Sequence, residues 1–231
     1  MSHIHFIGGE KGGVGKSVVA RLLAQRFIDR SLPFAALDAD RSAGALLRYY
    51  GEYTQPVDLA ASDSADQIMD RALGANRRVL VDLPAQSAHQ MWDWFSGANV
   101  LEFAREAGIR LSFWHVSDGG FASISAIDRA LTLFGDRVEH VLVKNHGRSR
   151  DFSQLEQSAV RGRLNELSAK TLELPELDPN AMYAIDRVGS SFWASVHRAE
   201  GEGVLRPLDR QRVKLWLERC SRELDAIDDA L

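Results

Sequence analysis

The sequence predicts an α/β protein with a doubly wound, mostly parallel sheet and helices on both faces. Short apolar runs alternate with amphipathic stretches along the 231 residues, which is the order of strand–helix units. Several apolar runs end in a charged or amide residue, at the place where open parallel sheets bind ligands. We therefore expect residues 1–231 to form one domain that ends in a packing helix at about residues 207–229.

The strands are expected where β-branched and aromatic residues cluster between turn residues. In chain order these runs are residues 3–7, 33–37, 57–60, 78–81, 109–116, 138–143 and 170–174. The run at 57–60 is short enough to be an edge strand.

Helices are expected where apolar residues recur with helical spacing. These stretches are residues 18–28, 42–50, 63–73, 121–134 and the C-terminal stretch. Ser62 or Asp63 is expected to cap the third of them. In the last helix, Trp216, Cys220 and Leu224 fall on one face, and the acidic residues of its final turns argue against a lipid-binding role.

Composition excludes several classes of function. A net charge of −4 and a pI near 6.0 give no overall attraction to nucleic acid. Cys220 is the single cysteine, which excludes an internal disulfide and favours a reducing compartment. The N-terminal apolar run breaks at Gly8 without a basic flank, so we expect no signal peptide. No apolar window is long enough to span a membrane, and the scattered histidines predict no zinc site. The expected location is cytoplasmic.

A glycine-rich loop stands between the first strand and the first helix. Glycines allow the backbone to fold closely around an anion, and the N–H groups at the start of the helix then face it. Lys16 would reach the β- and γ-phosphates of a nucleotide, and the Ser17 hydroxyl would bind Mg²⁺. The alternative is a turn that merely caps the helix. The loop and the start of the helix comprise Gly9, Glu10, Lys11, Gly12, Gly13, Val14, Gly15, Lys16, Ser17 and Val18.

Residues 11–17 resemble the deviant P-loop of the ParA/MinD family of ATPases, whose core is K-G-G-x-G-K-S/T. Glu10 stands where the strict P-loop pattern has its first glycine, at a position that varies in the family. The resemblance implies that residues 11–18 bind ATP. It also implies that Lys11 crosses to the nucleotide of a second protomer in an ATP-dependent homodimer.

Two further strands end in aspartates that fit the family pattern. Asp38 and Asp40 form its D-x-D element, and Asp82 begins D-x-P. By resemblance, Asp38 supports the metal shell, Asp40 positions the attacking water, and Asp82 is a Walker B carboxylate that holds Mg²⁺. The family often continues after Asp40 with Pro-Gln, whereas this chain has Arg41-Ser42, which leaves the hydrolysis rate open.

The base of the nucleotide has three candidate contacts. An asparagine after the sixth strand often reads the adenine edge in the family, because its amide offers a donor and an acceptor. Asn145 occupies that position, although a turn-forming role is the alternative. A proline-containing loop after the last strand also lies against the adenine in the family, which makes Pro175 and Glu176 further candidates.

Two surface features leave alternatives open. The arginines Arg148, Arg150, Arg161 and Arg163 could contact DNA phosphates or form a solvated face. The aromatic segment at residues 92–95 could be a partner surface or part of the core.

The function implied by the resemblance is a slowly hydrolysing, Mg²⁺-dependent ATPase that acts as a dimeric switch. The compact length and the Ser17-Val18 start of the helix look similar to plasmid conjugal-transfer or partition ATPases, which implies a partner protein of a DNA system. Two alternatives remain: an ATP-dependent metabolic synthetase or amidase on the same scaffold, and a nucleotide-binding scaffold with little hydrolysis.

Overall fold

The computed structural model describes residues 1–9, 11–40, 44–74, 76–198, 200–201 and 204–231. Its centre is a seven-stranded sheet in which every pairing is parallel. The strands are β1 (His3–Gly8), β2 (Phe34–Asp38), β3 (Thr54–Pro56), β4 (Arg78–Asp82), β5 (Arg110–Ser117), β6 (Glu139–Asn145) and β7 (Lys170–Leu174). This arrangement confirms the predicted fold class.

Helices connect the strands on both faces of the sheet. Those before β5 are α1 (Lys16–Asp29), α2 (Ala45–Tyr50), α3 (Ser62–Ala65), α4 (Gln67–Ala72), α5 (Ala88–Gly97) and α6 (Val100–Glu106). Those after β5 are α7 (Phe121–Phe134), α8 (Ser153–Glu156), α9 (Ala159–Glu166), α10 (Pro179–Val188), α11 (Phe192–His197) and α12 (Pro207–Asp225). Short 3₁₀ turns occupy Gly135–Arg137 and Asp228–Ala230.

The strand order places β1 at the centre of the sheet. The order is β3-β2-β4-β1-β5-β6-β7, so the chain starts at β1, builds one half of the sheet with β2, β3 and β4, and then builds the other half from β5 on the far side of β1. Ile7 lies opposite Asp82 on one side and Trp114 on the other. The carboxyl ends of the strands therefore meet along one edge, and the reversal of strand order beside β1 marks where such sheets bind ligands.

Alternate residues of β1 enter two different cores, because side chains alternate across a strand. Ile7 packs on the face covered by α1 and α12, among Leu23, Phe27 and Trp216. Ile4 and Phe6 pack on the other face, with Trp94 and Phe95 of α5. Because both faces are covered, all six residues of β1 are buried.

Several sequence predictions need correction or completion. The edge strand is Thr54–Pro56 and not residues 57–60, and residues 63–73 hold two short helices without the expected side-chain cap at Ser62 or Asp63. Trp94 and Phe95 are buried, so these two rings belong to the core and not to a partner surface. The C-terminal helix α12 ends at Asp225, and its buried residues are Val213, Trp216, Cys220 and Leu224. The predicted helix start at Ser42, like Glu10 and Arg41, lies outside the described residues.

Candidate functional site

The glycine loop leaves β1 and enters α1 through backbone shapes that glycine adopts readily. Gly13 has φ +76°, and Gly15, the N-cap of α1, has φ +104°. Both values lie in the left-handed region, where a side chain is strained. The Gly15 carbonyl then accepts the N–H groups of Val18 and Val19, which begins the helix. The strand–loop–helix context that the sequence predicted is therefore present.

Asn145, at the end of β6, supports the loop through its side-chain amide. Its Nδ2 donates to the Val14 carbonyl at 2.7 Å, and its Oδ1 accepts the Gly147 N–H at 3.0 Å. A Cβ on Gly15 would lie 2.2 Å from the same Nδ2, so the close packing of loop and amide requires glycine there. Asn145 is thus both a turn residue and a support of the loop.

Two aspartates lie side by side at the ends of neighbouring strands. Asp38 of β2 and Asp82 of β4 are register partners, and each is only 1% exposed. The carboxylate of Asp38 accepts the Asp40 N–H at 3.0 Å and the Leu47 N–H at 3.2 Å. Burial raises the pKa of Asp38, although these backbone donors lower it.

Asp82 lacks such donors. Neither of its buried oxygens accepts a hydrogen bond within normal distance from the part of the chain that the structure describes. Burial, and then the neighbouring charge of Asp38, raise the pKa of Asp82 to about 7. The Ser17 hydroxyl and the Lys16 ammonium, both at the start of α1, are close enough to lower it in part. An orphaned buried carboxylate of this kind calls for a cation.

The donor set fits Mg²⁺. This ion prefers oxygen ligands and is usually bound by one or two carboxylates together with phosphates and water. Ser17, Asp38 and Asp82 offer a hydroxyl and two carboxylates at one place. Among the described residues no group of three His, Cys, Asp or Glu side chains could enclose a metal, so phosphate and water would have to complete the shell.

The two loop lysines are held differently. Lys16 is buried, and its ammonium donates to the Lys11 carbonyl at 3.3 Å. Lys11 is 44% exposed and forms an ion pair with Asp118, which directly follows β5 in the same chain. Asp118 in turn accepts the Gly120 N–H and the Ser123 hydroxyl. The Lys11 side chain therefore lies at the rim of the site.

A cavity of about 440 Å³ opens beside the loop, between the end of β6 and α10. Pro175 lines it together with Asn145, whereas Glu176 pairs with Arg150 at 2.8 Å and is not among its lining residues. The Trp216 indole donates to the Pro175 carbonyl at 2.8 Å, so α12 fixes this wall. Further lining residues are Val18, Gly147, Arg148, Leu174, Leu177, Pro179, Met182, Tyr183 and Asp186. Its walls expose polar and apolar surface in about equal parts, which suits a flat heterocycle that carries hydrogen-bonding groups.

Three of the four arginines considered for DNA contact have partners within the chain. Arg161 pairs with Glu156, and Arg163 pairs with Asp128. Together with the Arg150 pair at the cavity, this places three of the four arginines in surface ion pairs.

Sequence reasoning missed two acidic residues of this region. Asp118 comes directly after β5, much as Asp38 and Asp82 end β2 and β4, so its position could have been read from the pattern. Asp186 lies within α10 and lines the cavity because it pairs with Arg21 of α1. No local sequence pattern predicts this contact.

Comparison with known proteins identifies the class of fold. No protein-family model matches the chain, and no curated protein resembles it in sequence. Solved structures do match. MinD cell division protein from Aquifex aeolicus has a TM-score of 0.55 at 14% identity, over 96% of this chain and 97% of that one. The MinC:MinD complex from the same organism gives a TM-score of 0.57 at 14% identity, over 97% and 96%.

A nucleotide-binding protein from Archaeoglobus fulgidus in complex with ADP has a TM-score of 0.54 at 15% identity, over 80% of this chain and 86% of that one. At these identities the similarity shows the fold alone, which this chain shares with MinD and with that nucleotide-binding protein. Within the described ranges no helix is both long and apolar enough to cross a bilayer.

Proposed function

We propose that this chain binds ATP with Mg²⁺ at the carboxyl edge of the sheet and hydrolyses it slowly. The observation that carries the proposal is the orphaned Asp82, buried beside Asp38 and next to the first turn of α1. A buried carboxylate pair is unfavourable unless a cation joins it, and here only Asp38 has backbone donors. The glycine loop offers a place for the phosphates of a nucleotide that would bring that cation.

Each residue has a defined part in this proposal. The loop residues 11–18 enclose the phosphates, and Lys16 neutralises them. Asn145 and Pro175 border the cavity beside the loop (the base cavity), which receives the adenine. Ser17 and Asp82 hold Mg²⁺ with support from Asp38, and the ion supplies positive charge against the phosphate oxygens. Asp40, whose backbone is fixed by bonds to Asp38 and Gly44, positions the attacking water. Glu176 contributes through its ion pair with Arg150 at the outer edge of the β7 loop.

The test of binding is a calorimetric titration with ADP and Mg²⁺. We expect saturable one-site binding that Lys16→Ala weakens at least tenfold. A neutral control is Lys214→Ala, an exposed residue of α12, which should bind like the wild type. Absence of binding by the wild type, or an unaffected Lys16→Ala, would contradict the proposal.

Hydrolysis is tested separately, because a scaffold that binds ATP without turnover is the nearest alternative. Removing a group that stabilises the transition state lowers rates by about 10²–10³. In a single-turnover assay Asp40→Ala should therefore bind ATP normally but turn it over at least a hundredfold more slowly. Equal rates for Asp40→Ala and wild type would remove Asp40 from the mechanism, and no turnover by either would favour the scaffold.

We further propose that ATP drives a homodimer in which Lys11 reaches the partner's nucleotide. The support is the resemblance of residues 11–17 to the ParA/MinD loop. Lys11 would first have to leave Asp118, which would keep its hydrogen bonds from the Gly120 N–H and the Ser123 hydroxyl. One of the matching structures is MinD in a complex with MinC, which is a precedent for a protein partner. A component of a plasmid DNA transfer or partition system is the partner we propose here.

One observation favours the metabolic alternative. A second cleft of about 440 Å³ lies between α10 and the start of α12, and it shares Tyr183 with the base cavity. Its charged lining includes Arg187, Arg206 and Arg212. It shares no residue with the glycine loop, however, so a substrate held there lacks the route to the phosphates that a synthetase needs. A screen of carboxylate substrates for stimulated ATP turnover separates the two functions.

A further inference from the structure

Asp186 of α10 lies in the wall of the base cavity and at the same time holds two other helices. Its Oδ1 accepts a hydrogen bond from Arg21 Nη1 of α1 at 2.9 Å and another from Tyr49 Oη of α2 at 3.0 Å. Its backbone carbonyl accepts Arg48 Nη2 at 2.8 Å. The position of this wall is therefore fixed by contacts with α1 and α2.

Arg21 is a buried cation that requires its contact with Asp186. Its side chain is 3% exposed, and its guanidinium lies over the ring of Tyr49 at 3.7 Å and over that of Phe192 at 4.5 Å. Its Nε and Nη2 have no hydrogen-bond partner among the described residues. A buried guanidinium strongly favours retention of its carboxylate partner, so Asp186 is held firmly against α1 and α2.

The other end of α2 reaches the pair of aspartates. The N–H of Leu47 donates to Asp38 Oδ2 at 3.2 Å, one residue before Arg48 and two before Tyr49. The helix has only six residues, and its N-terminal flank is tied to the Asp40 carbonyl through the Gly44 N–H. One short helix thus touches both the carboxylate beside the metal position and the wall of the base cavity.

We propose that Asp186 is a positioning residue that couples the base cavity to the Mg²⁺ position through α2. A base seated against α10 reinforces the contacts of Asp186 with Tyr49 and Arg48, and so keeps Leu47 aligned on Asp38. The coupling is reciprocal: Mg²⁺ at the carboxylates favours the arrangement of α10 that accepts the base. This inference rests on the proposed function, because it requires that a nucleotide and Mg²⁺ bind at this edge.

Tyr49→Phe tests the coupling with the smallest change. It removes the hydroxyl that reaches Asp186 but keeps the ring under Arg21. Tyr50→Phe is a matched control in the same helix, because the Tyr50 hydroxyl bonds to Gln25 and to the Phe192 N–H and not to Asp186. Thermal melts of both variants establish that each is folded before binding is compared.

The quantity to measure is the factor by which Mg²⁺ tightens ADP binding, taken as the Kd in EDTA divided by the Kd in Mg²⁺. ADP is used because it avoids the proposed ATP-dependent dimer. We expect Tyr49→Phe to reduce this factor at least fivefold, the lower end of usual coupling strengths, with less than a twofold change in the Kd in EDTA. Tyr50→Phe should keep the wild-type factor.

Each outcome is decisive. A purely structural role of Tyr49 would change stability, or both Kd values alike, and leave their ratio intact, which would overturn the inference while the proposed function stands. An equal fall of the ratio in Tyr50→Phe would also overturn it, since the effect would then be a general property of α2. A wild type that binds no ADP in either buffer would refute the proposed function itself.

Discussion

Replacing Asp82 with asparagine should stabilise the ligand-free protein, although it removes a residue of the site. Burial and the Asp38 charge raise the pKa of Asp82 from 3.8 to about 7. At about 1.4 kcal/mol per pKa unit, this amounts to about 4 kcal/mol by which the folded chain disfavours the charged carboxylate. Asparagine has a similar shape and carries no charge, so it avoids this penalty.

The sign of the pH dependence follows from proton uptake. Between pH 3.8 and about 7 the folded state holds a proton on Asp82 that the unfolded state has lost, so this group makes stability fall as pH rises through that window. The stability difference between Asp82→Asn and wild type should therefore be small at pH 4 and reach up to about 4 kcal/mol at pH 8.

Urea unfolding in EDTA at pH 4, 6 and 8 measures this difference, and a second series with Mg²⁺ and ADP measures the ligand effect. Mg²⁺ and ADP should stabilise the wild type by mass action and stabilise Asp82→Asn much less. Asp93→Asn, at an exposed position of α5, is the control for loss of one negative charge. The reasoning is refuted if Asp82→Asn is less stable than wild type at pH 8, or if the difference does not change with pH.

Three further predictions follow from single contacts. Gly15→Ala places a Cβ 2.2 Å from the Asn145 amide at φ +104°, so ADP binding measured by calorimetry should weaken at least tenfold. The control Gly162→Ala, whose Cβ would lie in open space, should bind ADP normally. Burial lowers the pKa of His3 from 6.5 to about 3, so the free energy of unfolding falls as pH drops below 6.5, by about 2 kcal/mol at pH 5. In urea unfolding, the stability of His3→Leu should therefore depend less on pH than that of the wild type. Lys11→Ala should stay a monomer by light scattering with a non-hydrolysable ATP analogue and Mg²⁺, whereas Asp118→Ala, which frees Lys11, should still dimerise; a dimeric Lys11→Ala would refute the crossing lysine.

The central strands could be predicted because a parallel strand covered on both faces is a continuous apolar run. The predicted bounds of α7 and β7 match the structure, since a glycine turn precedes α7 and Pro175 follows β7. The edge strand was misplaced for the opposite reason. β3 has three residues and a single neighbour, and its Gln55-Pro56 end is exposed, so no burial pattern marks it.

Some helices were missed although the sequence contains their signals. Asp178 caps α10 by accepting two backbone N–H groups, Pro179 stands at its first position, and Gly189 ends it at φ +63°. The division of residues 63–73 could not be read in the same way. Asp66, where the helix is interrupted, binds the Trp94 indole of a distant helix.

In the candidate site, too, local features could be predicted from the sequence and contacts between distant residues could not. The loop and the strand-end aspartates are local patterns, so the sequence could indicate them and the sheet brings them together. The second bond of Asn145, to the Val14 carbonyl, and the contacts of Asp186 with Arg21 and Tyr49 join residues far apart in sequence. A single sequence holds no information on such pairs, because they exist only once the helices pack.

The proposal that nucleotide state controls assembly is tested most directly by the solution mass of the wild type. Light scattering would compare the protein in Mg²⁺ with ADP and with a non-hydrolysable ATP analogue. We expect a monomer of 25.7 kDa with ADP and twice that mass with the analogue. A mass that is the same with both nucleotides, each bound at saturation, would contradict the switch.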